Sequence, residues 1–301
     1  MKIAFATVAA LLLTASTVHA QAVEPGSPAD ASQRILTALV QMNGVPGMGA
    51  AVWKDGQLIW SGSAGYADVE AGRPVDGETI FRMASVSKLF AATAVGRLVE
   101  MERLDLDAPI QPHLPWLTNE WPDISLRQLA SHTSGMPHYQ MADLGRGAVH
   151  HATVRDAVGI FSDRPLLTPP GQAYSYSSWG YTLLSAVVEA GAGFFFMVRG
   201  PAGFTPGLSI GPDATDGPNP HASVAYEFVG GAARRAAPHD FSYTWAGGGM
   251  GATVPALATW GGRVLDGQVI RRETFESLLV AARLNDGSQV NDRSYTVGVG
   301  W

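Results

Sequence analysis

The sequence predicts a fold of mixed α and β structure, and three observations carry that expectation. Two apolar runs near the N-terminus, Gly49–Trp53 and Gln57–Trp60, flank Lys54-Asp55-Gly56. Asp-Gly favours the positive φ values of a tight hairpin turn, so these runs are read as two antiparallel strands. Downstream, several stretches repeat their apolar residues at helical spacing, and Gly/Pro clusters separate them.

Taken in order, residues 1–20 carry one cation, Lys2, then an apolar run from Ile3 to Val18, and end in Val18-His19-Ala20. This is the pattern of a secretory signal cleaved before Gln21, and a periplasmic or secreted address follows from it. The run is shorter than the ~20 residues of a membrane span and lacks a charged stop-transfer flank, so no span is expected after cleavage. Gln33–Met42 places Ile35, Leu36, Leu39 and Val40 on one helical face. Val86–Met101 keeps Leu89, Phe90, Ala92, Val95 and Leu98 in helical register, with Gly96 the one weak position. Leu126–Ala130 begins a helix behind Ser125 as cap, and Gly135 and Pro137 end that region. Further helices are expected over Val154–Phe161, Tyr181–Ala190, Val254–Gly262 and Arg272–Leu284. Leu183–Val198 is very apolar, but Glu189 and three glycines interrupt it, which predicts a buried helix and turn. Residues 199–221 read as a long loop rather than a linker between domains, and residues 21–301 as one domain.

The full chain of 301 residues has 20 Lys+Arg against 26 Asp+Glu, a net charge of −6 that becomes −7 once Lys2 leaves with the signal. Nucleic acid and anionic membrane surfaces are poor partners for such a chain. There is no cysteine. Disulfides, a thiolate nucleophile and lipid modification after the signal are thereby excluded, and stability must come from packing. Neither a phosphate-binding glycine loop nor metal-ligand spacing is present, so no metal or cofactor is expected. His150-His151 lacks the i, i+4 pairing of a zinc site and reads as surface.

Chemistry concentrates at Ser85-Val86-Ser87-Lys88. A serine needs a neighbouring base and nearby dipoles to become a nucleophile. Ser85 stands where the strand-like Thr79-Ile80-Phe81 meets the start of the long helix, whose N-terminus favours negative charge. Lys88 lies three residues on, on the same helix face. Taken alone, the pattern also fits a capping serine beside a solvated lysine. Outside the signal, however, Lys54 and Lys88 are the only lysines in an arginine-using chain. Pro170–Leu184 then runs from a turn through a polar loop, Tyr174-Ser175-Tyr176-Ser177-Ser178, into an apolar helix. A tyrosine on such a loop can move protons if a cation lowers its pKa. Gly207-Leu208-Ser209-Ile210-Gly211 spells G-x-S-x-G but lacks the strand and helix of a nucleophile elbow. Ser131 and His132 are adjacent and point apart, which suits a structural helix end.

Five segments in this order resemble the class C β-lactamase and serine penicillin-recognising family, which includes D-alanyl-D-alanine carboxypeptidases and esterases. They are Phe81–Lys88, Leu129–Pro137, Tyr174–Ser178, Gly247–Met250 and Gly298–Trp301, and the resemblance covers about Arg34 to Trp301. It implies an α+β, DD-peptidase/β-lactamase-like fold: an antiparallel sheet from about 21–83 and 241–301, flanked by helices, with a mostly helical part at about 84–240. It also implies that Ser85 is acylated, that Lys88 activates it, and that Tyr176 is the general base or proton shuttle, with Tyr174 as the alternative two residues earlier.

Two departures stand out. The family's Tyr-x-Asn is Tyr176-Ser177-Ser178 here, so Ser178 can touch substrate but cannot offer an amide's paired donor and acceptor. The family's third motif, Lys or His two residues before Gly on a later strand, has no counterpart after Trp301, and the family's last strands and helix are expected to be missing. The reading is an exported serine hydrolase forming an acyl-enzyme on Ser85 with β-lactam, D-alanyl peptide or ester substrates. The alternative is a non-catalytic ligand-binding relative or an inactive truncated fragment. The oligomeric state is not legible in the sequence.

Overall fold

A computed structural model describes residues 24–301 except 119, 193–207 and 210–218. The expected signal, most of the long loop and the end of the apolar stretch after Leu183 lie outside the described residues. Helix α1, Pro28–Asn43, begins behind Ser27, whose hydroxyl accepts from the Asp30 amide, and ends at Gly44 in the left-handed conformation. Strands β1, Gly47–Lys54, and β2, Gln57–Asp68, pair antiparallel from Gly47↔Gly65 to Lys54↔Gln57. Asp55 and Gly56 take φ of 50° and 80° between them, the double positive φ that an Asp-Gly turn supplies. A short strand β3, Arg73–Pro74, completes this sheet on the β2 side.

The sheet is covered by α1 and by α6, Val254–Leu265, a helix capped by Thr253. Among the described residues its three strands all come from the N-terminal segment. From the C-terminal part of the chain it receives the helix Val254–Leu265 and no strand, where the expected architecture draws strands from both ends of the chain. Gly262 is the point of closest approach, since a Cβ there would overlap the near atoms of the Trp53 ring.

The helical part is centred on α2, Ser87–Glu100, and α5, Ser178–Ala192, which pack on each other. Phe90, Val95 and Leu98 of α2 and Leu183, Leu184, Val187 and Val188 of α5 are almost wholly buried in one core with Phe161, Trp179 and Val264. Phe90 stacks on Trp260 at 3.7 Å between ring centroids, so this core continues under the sheet. Two short helices, α3, Leu126–Ala130, and α4, Val154–Val158, each carry a full capping box, from Ser125/Gln128 and Thr153/Asp156. Strand β4, Phe81–Arg82, joins the two parts by pairing with Gly251–Ala252, which also pairs with Leu208–Ser209. A hairpin of Tyr226–Val229 with Ala232–Arg235, turned at Gly230-Gly231, lies within the stretch expected to be mostly helical.

Two helices end well short of the expected boundary. Helix α4 stops at Gly159, short of Phe161. Helix α7 covers Arg272–Leu279 rather than reaching Leu284. Val280 turns extended, and the following residues bond to later chain instead: the Ala282 amide to Val297 O and the Leu284 amide to Ser288 O. The Asp286-Gly287 turn makes that return possible and outcompetes the helical periodicity of the side chains. Among the described residues no helix is long and apolar enough to cross a membrane.

The Gly262–Trp53 contact gives a stability test. Alanine gains up to ~1 kcal/mol of helix propensity over glycine, while overpacking costs about 1–3 kcal/mol. The overlap involves Cγ, Cδ1 and Nε1 of Trp53, so the whole ring has to shift, and its 3.2 Å hydrogen bond to Asp266 opposes that movement. Gly262→Ala is therefore expected to lower the melting temperature by several degrees, measured by thermal unfolding.

Candidate active site

Strand β4 delivers the chain to the site, and one strained residue turns it. Ala84 has φ of 45°, in the left-handed region, at the start of a 3₁₀ turn Ala84–Val86 that leads straight into α2. The Met83 amide is anchored on Met250 O at 2.9 Å and the Val86 amide on Met83 O at 3.0 Å. A non-glycine residue held at such φ costs of order 1–3 kcal/mol and persists only when its surroundings fix it. The consequence is directional: Ser85 is exposed, while Ser87 and Lys88, one turn into the helix, are buried.

Helix α5 brings the second group. It starts at Ser178, three residues earlier than its apolar periodicity suggests, because the Ser177 hydroxyl accepts from the Gly180 amide at 2.9 Å and caps it. The same hydroxyl donates to Pro137 O at 2.7 Å. Tyr176 is thereby held just outside the helix and Ser178 in its first turn. The third element is the 3₁₀ turn Trp245–Gly247, entered by Trp245 at φ of 43°. Gly247 approaches the backbone of Ser178 so closely that a Cβ would lie 2.6 Å from Ser178 O.

These elements converge on four groups that the sequence singled out. Ser85 Oγ lies 2.7 Å from the Tyr176 hydroxyl. Lys88 Nζ donates to Ser85 Oγ at 3.4 Å, to Ser178 Oγ at 3.1 Å and, at shorter range, to Gly247 O. An ammonium has three donors and no acceptor, so these contacts use its full capacity. With Lys88 donating to Ser85 Oγ, the serine's own proton is free to point at Tyr176.

The environment perturbs both titrating groups. Burial lowers the pKa of Lys88, and the opposing Tyr176 charge only partly restores it. For Tyr176 burial pushes upward, but the Lys88 charge and the hydrogen bonds around the phenol outweigh it and bring the pKa below the ordinary value. Tyr174 behaves oppositely. Its hydroxyl donates to Asp292 Oδ2 at 3.2 Å, and burial together with that carboxylate pushes its pKa up to about 12. The structure thus separates the two tyrosines that the sequence left open, and Tyr176 is the one beside Ser85.

Sequence reasoning missed two imidazoles. His132, read as a structural helix end, does close α3 at φ of 60°, yet its Nδ1 accepts from the Ser177 amide at 3.1 Å. His138 Nδ1 accepts from the Ser178 amide at 3.0 Å. The one available signal was that His132 lies inside a segment resembling the family, while His138 had none. The other candidates stand apart from Ser85. His150 bonds Asp240 at 2.7 Å, and His151 is half-buried with its amide on Ser242 Oγ. Gly207, Ile210 and Gly211 lie outside the described residues, and Leu208–Ser209 is a strand. Lys54 is the last residue of β1, its ammonium 3.8 Å from the Asp55 carboxylate. Among the described residues no group of three or more His, Asp or Glu could hold a metal ion.

The β-lactamase family model matches residues 33–301. The chain belongs to the β-lactamase family. This family of serine hydrolases includes esterases and D-aminopeptidases. The chain is 27% identical to the mouse (Mus musculus) serine β-lactamase-like protein LACTB, mitochondrial, over 84% of its own length and 63% of the mouse protein. It is 33% identical to esterase EstB of Burkholderia gladioli over 48% of this chain and 40% of that protein. A D-aminopeptidase of Cereibacter sphaeroides is 32% identical over 58% of this chain and 35% of its own. The chain therefore spans less than two thirds of the length of these curated relatives. A penicillin-binding protein homologue from Pyrococcus abyssi, described as octameric, superposes with a TM-score of 0.74 at 20% identity, covering 91% of this chain and 64% of that one. EstCE1, described as a hydrolase with promiscuous acyltransferase activity, gives 0.73 at 21% identity over 90% and 81%. At these identities the structures establish the shared fold.

His132 gives a pH test. Burial first, then the charges of Lys88 and His138, lower its pKa from 6.5 to about 3. Between those values the unfolded chain binds a proton that the folded chain refuses, so stability falls as pH falls. Denaturant unfolding across that window is expected to show a loss that His132→Asn, which cannot titrate, reduces.

Proposed function

We propose that the protein is an exported serine hydrolase that forms an acyl-enzyme on Ser85, with esters as its preferred substrates among esters, D-alanyl peptides and β-lactams. The observation that carries this reading is the 2.7 Å contact between Ser85 Oγ and the Tyr176 hydroxyl, with Lys88 Nζ against the same serine oxygen. In this mechanism Tyr176, as phenolate, takes the Ser85 proton while the serine oxygen attacks the substrate carbonyl. The Lys88 ammonium lowers the cost of that phenolate. Collapse of the tetrahedral adduct breaks the bond to the leaving group, which receives the proton from Tyr176. Water then attacks the acyl-enzyme, Tyr176 accepting its proton and returning one to Ser85.

The preference for esters rests on Ser178. Its hydroxyl accepts from Lys88 at 3.1 Å, and it has no carbonyl to receive a substrate N–H. An ester needs neither function, and its alkoxide leaves more easily than an amine. Export rests on residues 1–20 alone, since the mouse relative is described as mitochondrial. A small ester or peptide is the expected partner, without metal or cofactor.

The test is hydrolysis of p-nitrophenyl acetate and nitrocefin by the chain recovered from an extracytoplasmic fraction, with Gln21 as its N-terminus. The ester is expected to turn over faster. Ser85→Ala is expected to abolish turnover, Tyr176→Phe to reduce it by about 10²–10⁴-fold, and Tyr174→Phe to leave it within a few-fold. Turnover that survives Ser85→Ala sinks the assignment, and an inert wild-type chain supports the non-catalytic alternative.

A further inference from the structure

The loop that carries Tyr176 has almost no regular structure of its own, and its shape is copied from a neighbouring segment. Residues 132–138 offer a series of acceptors to residues 171–178. Thr133 O takes the Gly171 amide at 2.7 Å and His132 O the Ser175 amide at 2.8 Å. His132 Nδ1 takes the Ser177 amide at 3.1 Å, Pro137 O the Ser177 hydroxyl at 2.7 Å, and His138 Nδ1 the Ser178 amide at 3.0 Å. The two imidazoles also flank the phenol. The His132 ring centroid is 4.6 Å from that of Tyr176, and His138 meets Tyr176 edge-on at 5.5 Å.

A backbone N–H can only donate, so each Nδ1 must present a lone pair and each ring must be neutral with its proton on Nε2. Lysine or arginine cannot fill these places, and an imidazolium would lose the bond. His132 meets a second demand, since its φ of 60° lets its carbonyl and its ring both face the loop, and histidine tolerates that region better than most residues.

We propose that His132 and His138 are positioning residues, whose neutral imidazoles fix the Tyr176-Ser177-Ser178 backbone and so set the distance between the Tyr176 hydroxyl and Ser85. The inference rests on the reading of Ser85 as nucleophile and Tyr176 as base. Neither histidine touches the reacting atoms; each acts through the loop.

His138 offers the cleaner test, because it is half-buried and lies outside the strained turn. Asn places a carbonyl oxygen near the position of Nδ1, whereas Leu fills similar space with no acceptor. The rate of Ser85 modification by a fluorophosphonate probe is expected to fall about 100-fold in His138→Leu, the scale of a small misplacement of a reacting group. His138→Asn is expected to stay within a few-fold of wild type. Both variants should unfold at similar temperatures, which separates positioning from general damage. Amide exchange at Ser178 should accelerate in His138→Leu and stay slow in His138→Asn. The inference is overturned if His138→Leu reacts at the wild-type rate, if Asn restores nothing, or if Ser178 exchange is the same in all three proteins. If the probe fails to label even the wild-type chain, or labels Ser85→Ala, the proposed function fails instead. The exchange measurement still decides whether His138 holds the loop.

Discussion

The buried ammonium of Lys88 is the contact on which the site depends, because its donors reach three different parts of the chain. Ser85 belongs to the turn before α2, Ser178 to the first turn of α5, and Gly247 to the turn before Gly251–Ala252. Removing an ammonium from water is expensive, and an interior lysine is tolerated only when its donors are satisfied. Here the cost falls on a residue whose placement decides where the serine and the phenol meet. The same desolvation that lowers the lysine's pKa strengthens its field at Tyr176, because little water intervenes.

Strain gathers around this group in a consistent way. Ala84, His132 and Trp245 are all non-glycine residues at positive φ, and they lie respectively beside Ser85, under the Tyr176 loop and before Gly247. Each turns its chain sharply so that a polar group faces the junction. The packing of α2 against α5, with Phe90, Leu98, Leu184 and Val188 almost fully buried, is what can hold such turns in place.

Much of this was legible in the sequence wherever a local rule applied. The Asp55-Gly56 turn, the cap at Ser125 and the long apolar period after Ser85 each specify a local conformation, and the structure shows each of them. Ser85, Lys88, Tyr176 and Ser178 were legible through motif spacing and resemblance, and the structure brings them together. What stayed hidden depended on distant partners. Helix α7 ends at Leu279 because residues 280–284 find backbone partners at 288–297, which side-chain periodicity does not reveal. Tyr176 meets Ser85 while Tyr174 is turned to Asp292, and both partners lie about a hundred residues away in sequence. His138 carried no motif at all, and its role emerges only from the Ser178 amide it accepts.

In the proposed mechanism Lys88, rather than burial or the loop alone, tunes Tyr176 for proton transfer. The most direct measurement is the ionisation of the Tyr176 phenol, followed by phenolate absorbance difference against Tyr176→Phe, in the wild-type background and in Lys88→Met. A pKa below the ordinary tyrosine value of 10.0 is expected in wild type and a higher one in Lys88→Met, where only the hydrogen bonds from Ser85 and Ser178 still oppose burial. An unchanged Tyr176 pKa in the lysine variant would contradict it.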